Sequence, residues 1–237
     1  MRWSMMAIGL MVLVAGSAGA DIITVYRGTN SYTSSVDAAN NWTTALSTPI
    51  ATINWDDVPL ADGSQTTIAG DRYSSMPGSP TLSVDAGGLY VINPAPSGTG
   101  YFATDFFPVS GANVFAPDGW PEPSVGPEGI LTITFSSPVY ALGAWFLDVE
   151  DDYRSTGIEV GETLYAFEQN QGDNSQSFLG IISSTPFTTA MIHMSSAPGG
   201  DGVGIDNMMY ALVPTPVAVV LGMLGLATAG LKLRKYI

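Results

Sequence analysis

Residues 21–213 consist of short apolar runs separated by Gly, Pro, Ser, Asn and Asp, and this pattern constrains the fold more than any other feature of the sequence. The runs are too short for typical helices, and several of them alternate between apolar and polar side chains, as a half-buried strand does. Helical periodicity is almost absent, and residues 38–46 are the only plausible short helix or irregular turn. The pattern therefore predicts an all-β domain.

Roughly ten to twelve strands fit into this region. The strands are predicted at residues 22–26, 52–55, 81–84, 89–92, 101–107, 130–135, 140–149, 163–168, 177–182, 187–194 and 204–210. Two hairpins are predicted, one joining 81–84 to 89–92 and one joining 163–168 to 177–182, whereas 108–129 is predicted to be a long loop. The run 140–149 is apolar almost throughout, so we expect a central strand there. Without an internal repeat, an antiparallel two-sheet β-sandwich of jelly-roll type fits residues 21–212 best.

The first 20 residues have the composition of a secretory signal peptide. Arg2 precedes an apolar run at residues 5–14, and the small residues 18–20 follow it. This order of charge, apolar core and small residues is typical of a cleavable export signal. The mature chain is therefore expected to begin near Asp21.

The last 25 residues, 213–237, have three parts in a fixed order. Pro214, Thr215 and Pro216 come first, an uncharged and mostly apolar run follows at 217–231, and a basic cluster of Lys232, Arg234 and Lys235 ends it. As a helix the run is about 22 Å long, somewhat short of the ~30 Å hydrocarbon core of a bilayer. We predict that this run is a transmembrane helix with a cytoplasmic basic flank. Two simpler interpretations are an ordinary C-terminal membrane anchor and a buried apolar helix of a soluble fold.

This three-part tail resembles the PEP-CTERM sorting signal of Gram-negative bacteria. In that family a Pro-Glu-Pro motif precedes the helix and basic cluster, and a membrane-embedded transpeptidase, exosortase, recognises and processes the signal. The resemblance implies export, anchoring in the inner membrane before processing, and release to the cell surface or the extracellular space. Thr215 stands where the family has Glu, so a variant exosortase or an uncleaved anchor remain alternatives.

Three further strings are similar to secreted bacterial sandwich domains that carry such tails. They are INWDDVPL at 53–60, SPVYALG at 137–143 and GVGIDNMMY at 202–210. The similarity implies a fold and a compartment, not an activity.

The charge distribution narrows the range of partners. Four of the seven basic residues lie in the signal peptide and the C-terminal tail. The region between these two segments therefore contains three basic and 21 acidic residues, which gives it a formal charge of −18. Nucleic-acid binding needs Lys and Arg to neutralise phosphates, so it is excluded. The chain has no cysteine, which excludes thiol nucleophiles and thiolate metal sites.

Asp56, Asp57 and Asp206 are the predicted metal-binding residues. If the first and last strands lie side by side, these carboxylates converge, and Ca²⁺ prefers such hard oxygen ligands. The alternative is that Asp206 and Asn207 form hydrogen bonds with the neighbouring backbone. A structural Ca²⁺ is the only cofactor that the sequence suggests. A second acidic cluster at residues 148–152 is predicted to be a solvated loop.

Other candidate residues carry weaker signals. His193, the only histidine, lies within an apolar strand and is predicted to be structural rather than catalytic. If the domain hydrolyses glycosides, a pair of carboxylates such as Glu159 and Glu162 would be the alternative catalytic residues. Trp120, in the proline-rich loop, is the best candidate for stacking against a sugar, and Trp42 is a further one.

The expected function is that of a non-enzymatic, exported surface or extracellular-matrix protein associated with exopolysaccharide or biofilm. Its expected partners are the membrane, an exosortase-like enzyme and extracellular polysaccharide. A carbohydrate-binding module, with or without Ca²⁺, is the alternative, and a secreted glycan-acting hydrolase is a weaker one.

Overall fold

The structure, a computed structural model, describes residues 21–29, 31–85, 88–94, 108–117, 129–150, 153–172, 174–195 and 203–214. Over these residues the chain forms one antiparallel network of 11 strands and one helix, so the predicted all-β class is confirmed. The elements are β1 (Ile23–Arg27), α1 (Tyr32–Ala45), β2 (Ile50–Ile53), β3 (Ser64–Thr67), β4 (Thr81–Val84), β5 (Leu89–Asn93), β6 (Val114–Pro117), β7 (Gly129–Leu147), β8 (Gly157–Val160), β9 (Thr163–Ala166), β10 (Gln176–Met194) and β11 (Gly204–Leu212).

Two strands of 19 residues each, β7 and β10, form the centre of the network. They pair with each other on both sides of an irregular stretch, where the register shifts between Ile182 and Thr189. Pro138 of β7 and Pro186 of β10 lie in this stretch and have no N–H to donate, so the ladder is interrupted there. Each long strand was predicted as two separate ones, and the structure corrects this.

The irregular stretch divides the network into two halves. The β4 half contains residues 129–135 of β7 and 189–194 of β10, with β4 on one side and β8 and β9 on the other. The β11 half contains the remaining parts of β7 and β10, with β1 beside β10 and β11 beside β7. The outer edge of β11 pairs with β2 and then with β6, which continues to β5 and β3.

Both predicted hairpins are wrong. β4 pairs with β7, and β5 pairs with β3 and β6. Asp85, directly after β4, also contacts β7, since its carboxylate Oδ1 accepts the Ile130 N–H at 2.8 Å. β9 pairs with β8 across a tight turn in which Gly161 has a φ of +66°, a conformation that glycine adopts without strain. The predicted loop at 108–129 also contains a strand, β6.

Both halves contribute side chains to one buried cluster. Leu131, Ile133 and Phe135 of the β4 half lie in the same cluster as Leu142 and Phe146 of the β11 half. In the β4 half of β7 these apolar residues alternate with less buried ones, as the sequence predicted. One core therefore holds the two halves together.

A helix covers the opposite face of the β11 half. Trp42 of α1 is fully buried against Trp145 and Phe178, and its indole Nε1 donates to the Ile181 carbonyl at 3.1 Å. A Cβ on Gly180 would overlap the Trp42 side chain, so glycine permits this close approach. The helix is longer than the predicted 38–46, and Trp42 is a core residue rather than a platform for sugars.

The predicted signal peptide at 1–20 and the predicted transmembrane run at 217–231 lie outside the described residues. Within the described part of the chain, no helix is long and apolar enough to cross a membrane.

Candidate functional site

Asp206, one of the predicted metal-binding residues, is a fully buried side chain of β11. Its Oδ2 accepts the backbone N–H groups of Val109 and Ser110 at 2.8 and 2.9 Å. Its Oδ1 accepts the Asn207 N–H at 2.7 Å. The carboxylate therefore fixes the segment 109–113 to the last strand, which is the hydrogen-bonding alternative that the sequence offered.

Burial governs the ionisation of Asp206. Removal from water raises the pKa of its carboxyl to about 6, although the three backbone N–H donors act in the opposite direction. The negative charge of Asp56 adds a smaller contribution that also raises this pKa. Asp206 thus changes charge closer to neutrality than an exposed aspartate does.

Asp56 holds the other end of the same segment. Its Oδ1 accepts the N–H groups of Ala112 and Asn113 at 2.9 and 3.2 Å. Gly111 has a φ of +61° and lies so close that a Cβ there would overlap the Asp56 carboxylate. Asp56 and Asp206 together hold segment 109–113 against the N-terminal end of β11.

Strand pairing explains why these two carboxylates are neighbours. β2, which precedes Asp56, pairs with β11, so that Ile53 lies opposite Met208. The expectation that the first and last strands adjoin is wrong, because β1 pairs with β10. Of the three carboxylates predicted to converge, Asp56 and Asp206 bind the same segment, and the strand that brings them together is β2 rather than the first strand.

Asp57 does not join the pair. Its Oδ1 accepts the Tyr73 hydroxyl at 2.9 Å, and Arg72 forms a salt bridge of 3.0 Å with its Oδ2. Burial, followed by the hydrogen bond to Asp57, raises the pKa of the Tyr73 hydroxyl. Among the described residues, no group of three or more His, Asp or Glu side chains is placed to hold a metal ion.

His193 lies at the edge of a separate cleft of about 380 Å³, which Asp85, Ser155 and Ser195 also line. Its Nε2 is 2.7 Å from Oε2 of Glu159, and both side chains are about one-fifth exposed. The pair links β10 to β8, which are neighbours in the sheet. The sequence reasoning missed this contact because β8 was not predicted. Glu162, the other half of the proposed carboxylate pair, lies exposed in the turn after β8.

The start of the predicted sorting motif is at the surface. β11 ends at Leu212, the Val213 N–H still donates to the Pro138 carbonyl at 3.2 Å, and Pro214 is exposed. A mostly apolar groove of about 500 Å³ adjoins this point, with Pro49 and Met76 in its walls. The other predicted site residues, Thr215, Pro216, Lys232, Arg234, Lys235 and Trp120, lie outside the described residues.

No protein-family model matches the chain, and no curated protein or solved structure is significantly similar to it.

Proposed function

We propose that this chain is a non-enzymatic, exported surface or extracellular-matrix protein, whose β domain is delivered by a PEP-CTERM-like tail. The observation that carries the proposal is the position of Pro214. The last strand ends at Leu212, so the motif begins two residues later, at an exposed position. An exosortase-like enzyme at the membrane would reach it without opening the sheet.

Removal of the tail would also leave the folded domain intact. All 11 strands of the described residues lie before Pro214, and the last of them is paired on both edges. The domain would therefore pass from an inner-membrane intermediate to the cell surface or the extracellular space without losing any of the described core residues.

The domain itself is proposed to be a two-sheet sandwich of jelly-roll type. Both halves contribute to one core, and the interruption of the ladder near Pro138 and Pro186 would let β7 and β10 pass from one sheet to the other. Such sandwiches occur in many lectin domains and carry function in their loops and faces.

The non-enzymatic assignment is supported by the bonding of the ionisable side chains. Asp56 and Asp206 accept backbone N–H donors, and His193 is held by Glu159. The formal charge of −18 in the domain disfavours anionic partners, so the exopolysaccharide that we propose as its setting is a neutral one.

Processing in the native host tests the proposal. Replacing both Pro214 and Pro216 by Ala in the full-length chain should leave an unprocessed precursor in the membrane fraction, detected by immunoblot of fractionated cells. The matched control is Thr215→Glu, which restores the family motif and should be processed at least as well as the parent. Normal release of the double-alanine variant would refute recognition of this motif.

A further inference from the structure

A small polar pocket lies where the N-terminus of α1 meets the loop between β9 and β10. Its volume is about 230 Å³. Among the described residues, Tyr32 lines this pocket together with hydroxyl and amide side chains: Ser31, Gln171, Asn174, Ser175, Gln176 and Ser177. None of these side chains carries a formal charge, although the domain has 21 acidic residues. The lining therefore suits a neutral ligand rich in hydroxyl groups, which both donate and accept hydrogen bonds as these side chains do.

Tyr32 is an exposed aromatic residue that the core does not need. It is 52% exposed, and among the described residues only Ile22 and Val213 are comparable large apolar side chains at the surface. Its ring centroid lies 6.0 Å from that of Trp145, which is itself only 6% exposed. Trp145 thus packs beside Tyr32, and a half-exposed aromatic ring offers a platform for an apolar ring face.

The part of the pocket wall that Gln171, Asn174 and Ser175 form is held by hydrogen bonds to residues 148 and 149. The Asn174 N–H donates to Oδ1 of Asp148 at 2.7 Å, and the Asp148 N–H donates to the Ser175 carbonyl at 2.9 Å. The Val149 N–H donates to the Ser175 hydroxyl at 2.9 Å, and the Gln171 N–H donates to the Val149 carbonyl at 2.8 Å. Binding to such a wall requires little ordering of the loop, which favours affinity.

Asp148 has a structural role that the sequence did not indicate. It was predicted to belong to a solvated acidic loop, yet it is only 1% exposed. Asn174, which it holds, has a φ of +57° and is exposed. The buried carboxylate therefore fixes a loop residue with a left-handed backbone conformation, and this residue lines the pocket.

We propose that this pocket binds one neutral sugar unit of an extracellular polysaccharide. The Tyr32 ring packs against the C–H face of the sugar, and the amide of Asn174 binds its hydroxyl groups. The proposal deepens the polysaccharide association proposed above and rests on it. It assigns the contact to Tyr32 rather than to Trp120.

The test uses the purified full-length chain in detergent micelles, with maltohexaose, cellohexaose and xylohexaose as probes. Calorimetry measures affinity, and tryptophan fluorescence reports contacts near Trp145. At least one hexasaccharide should bind, and Tyr32→Ala should weaken that binding about tenfold, as expected for the loss of one aromatic contact. Tyr32→Phe keeps the ring and should bind like the parent. Asn174→Gly keeps the backbone conformation, removes the amide, and should weaken binding severalfold.

Ile22→Ala, which removes an exposed apolar side chain elsewhere, is the matched control and should not change the affinity. An unchanged melting temperature of Tyr32→Ala would show that the variant is folded. Three results would overturn the proposal: no hexasaccharide binds, Tyr32→Ala binds as the parent does, or Trp120→Ala alone abolishes binding. Processing of the tail is measured separately, so loss of the sugar site with normal processing would refute only this inference.

Discussion

Asp206 should make the stability of the protein depend on pH in a direction opposite to that of most aspartates. Its carboxyl is fully buried, and burial raises its pKa to about 6 from an ordinary value of 3.8. The native state therefore binds the proton more tightly than the unfolded chain does. The corresponding stability is fully present below about pH 4 and is lost as the pH rises through about 6.

The magnitude follows from the two pKa values. The difference between about 6 and 3.8 corresponds to ~3 kcal/mol, since each pH unit of difference is worth about 1.4 kcal/mol. This is a large part of the 5–15 kcal/mol or so that typically separates native from unfolded domains. The three N–H donors to Asp206 limit the loss, and their effect is already included in the raised pKa.

Urea denaturation of the parent and of Asp206→Asn, at constant ionic strength across this pH range, measures the effect. Other carboxylates also repel one another as the pH rises, but both proteins share that contribution. The stability of the parent relative to the variant should fall by ~3 kcal/mol between about pH 3 and about pH 7. A difference that stays flat would show an unshifted pKa, and a difference that rises would show that the N–H donors outweigh burial.

Three further predictions concern the core, segment 109–113 and the metal. Trp42→Ala should lower the free energy of unfolding by ~3–5 kcal/mol in chemical denaturation, because it empties a fully buried site; a loss below ~1 kcal/mol would contradict the packing of α1. Gly111→Ala should lower the free energy of unfolding more than Gly161→Ala does. The two glycines have similar φ values of +61° and +66°, but only at Gly111 would a Cβ overlap a carboxylate. Equal losses would refute the overlap with Asp56. EDTA should leave the melting temperature unchanged, since backbone N–H donors already face Asp56 and Asp206; a fall of several degrees would instead support the predicted Ca²⁺ site.

The all-β class could be predicted because it depends on local pattern. Alternation at 130–135 and the continuous apolar run at 140–149 are properties of the strand itself, and both gave the correct burial. The run is apolar on both faces because the core covers one and α1 covers the other. That helix was predicted too short, since its first turn is polar and its start depends on the Ser31 hydroxyl accepting the Ser34 N–H.

Strand partners could not be predicted, because they depend on contacts that are distant in sequence. The sequence offered turn residues between 81–84 and 89–92, but β4 and β5 pair with other strands. The same holds for the site. The sequence identified Asp56 and Asp206 as candidate site residues. It did not predict their hydrogen bonds to segment 109–113, because this segment contains no pattern that indicates a carboxylate partner. Tyr32 gave no signal because its exposure follows from the packing of α1.

The position of β11 determines how the domain would respond to tension. The tail continues directly from this strand, which is hydrogen-bonded to β7 along one edge and to β2 and β6 along the other. A pull on the C-terminus therefore loads two antiparallel ladders at once and along the strand axis. Both ladders must shear together before the strand leaves, whereas an edge strand such as β9 can be unzipped one bond at a time. A domain tethered through its tail would accordingly transmit force to its interior before it lost any structure at its edges.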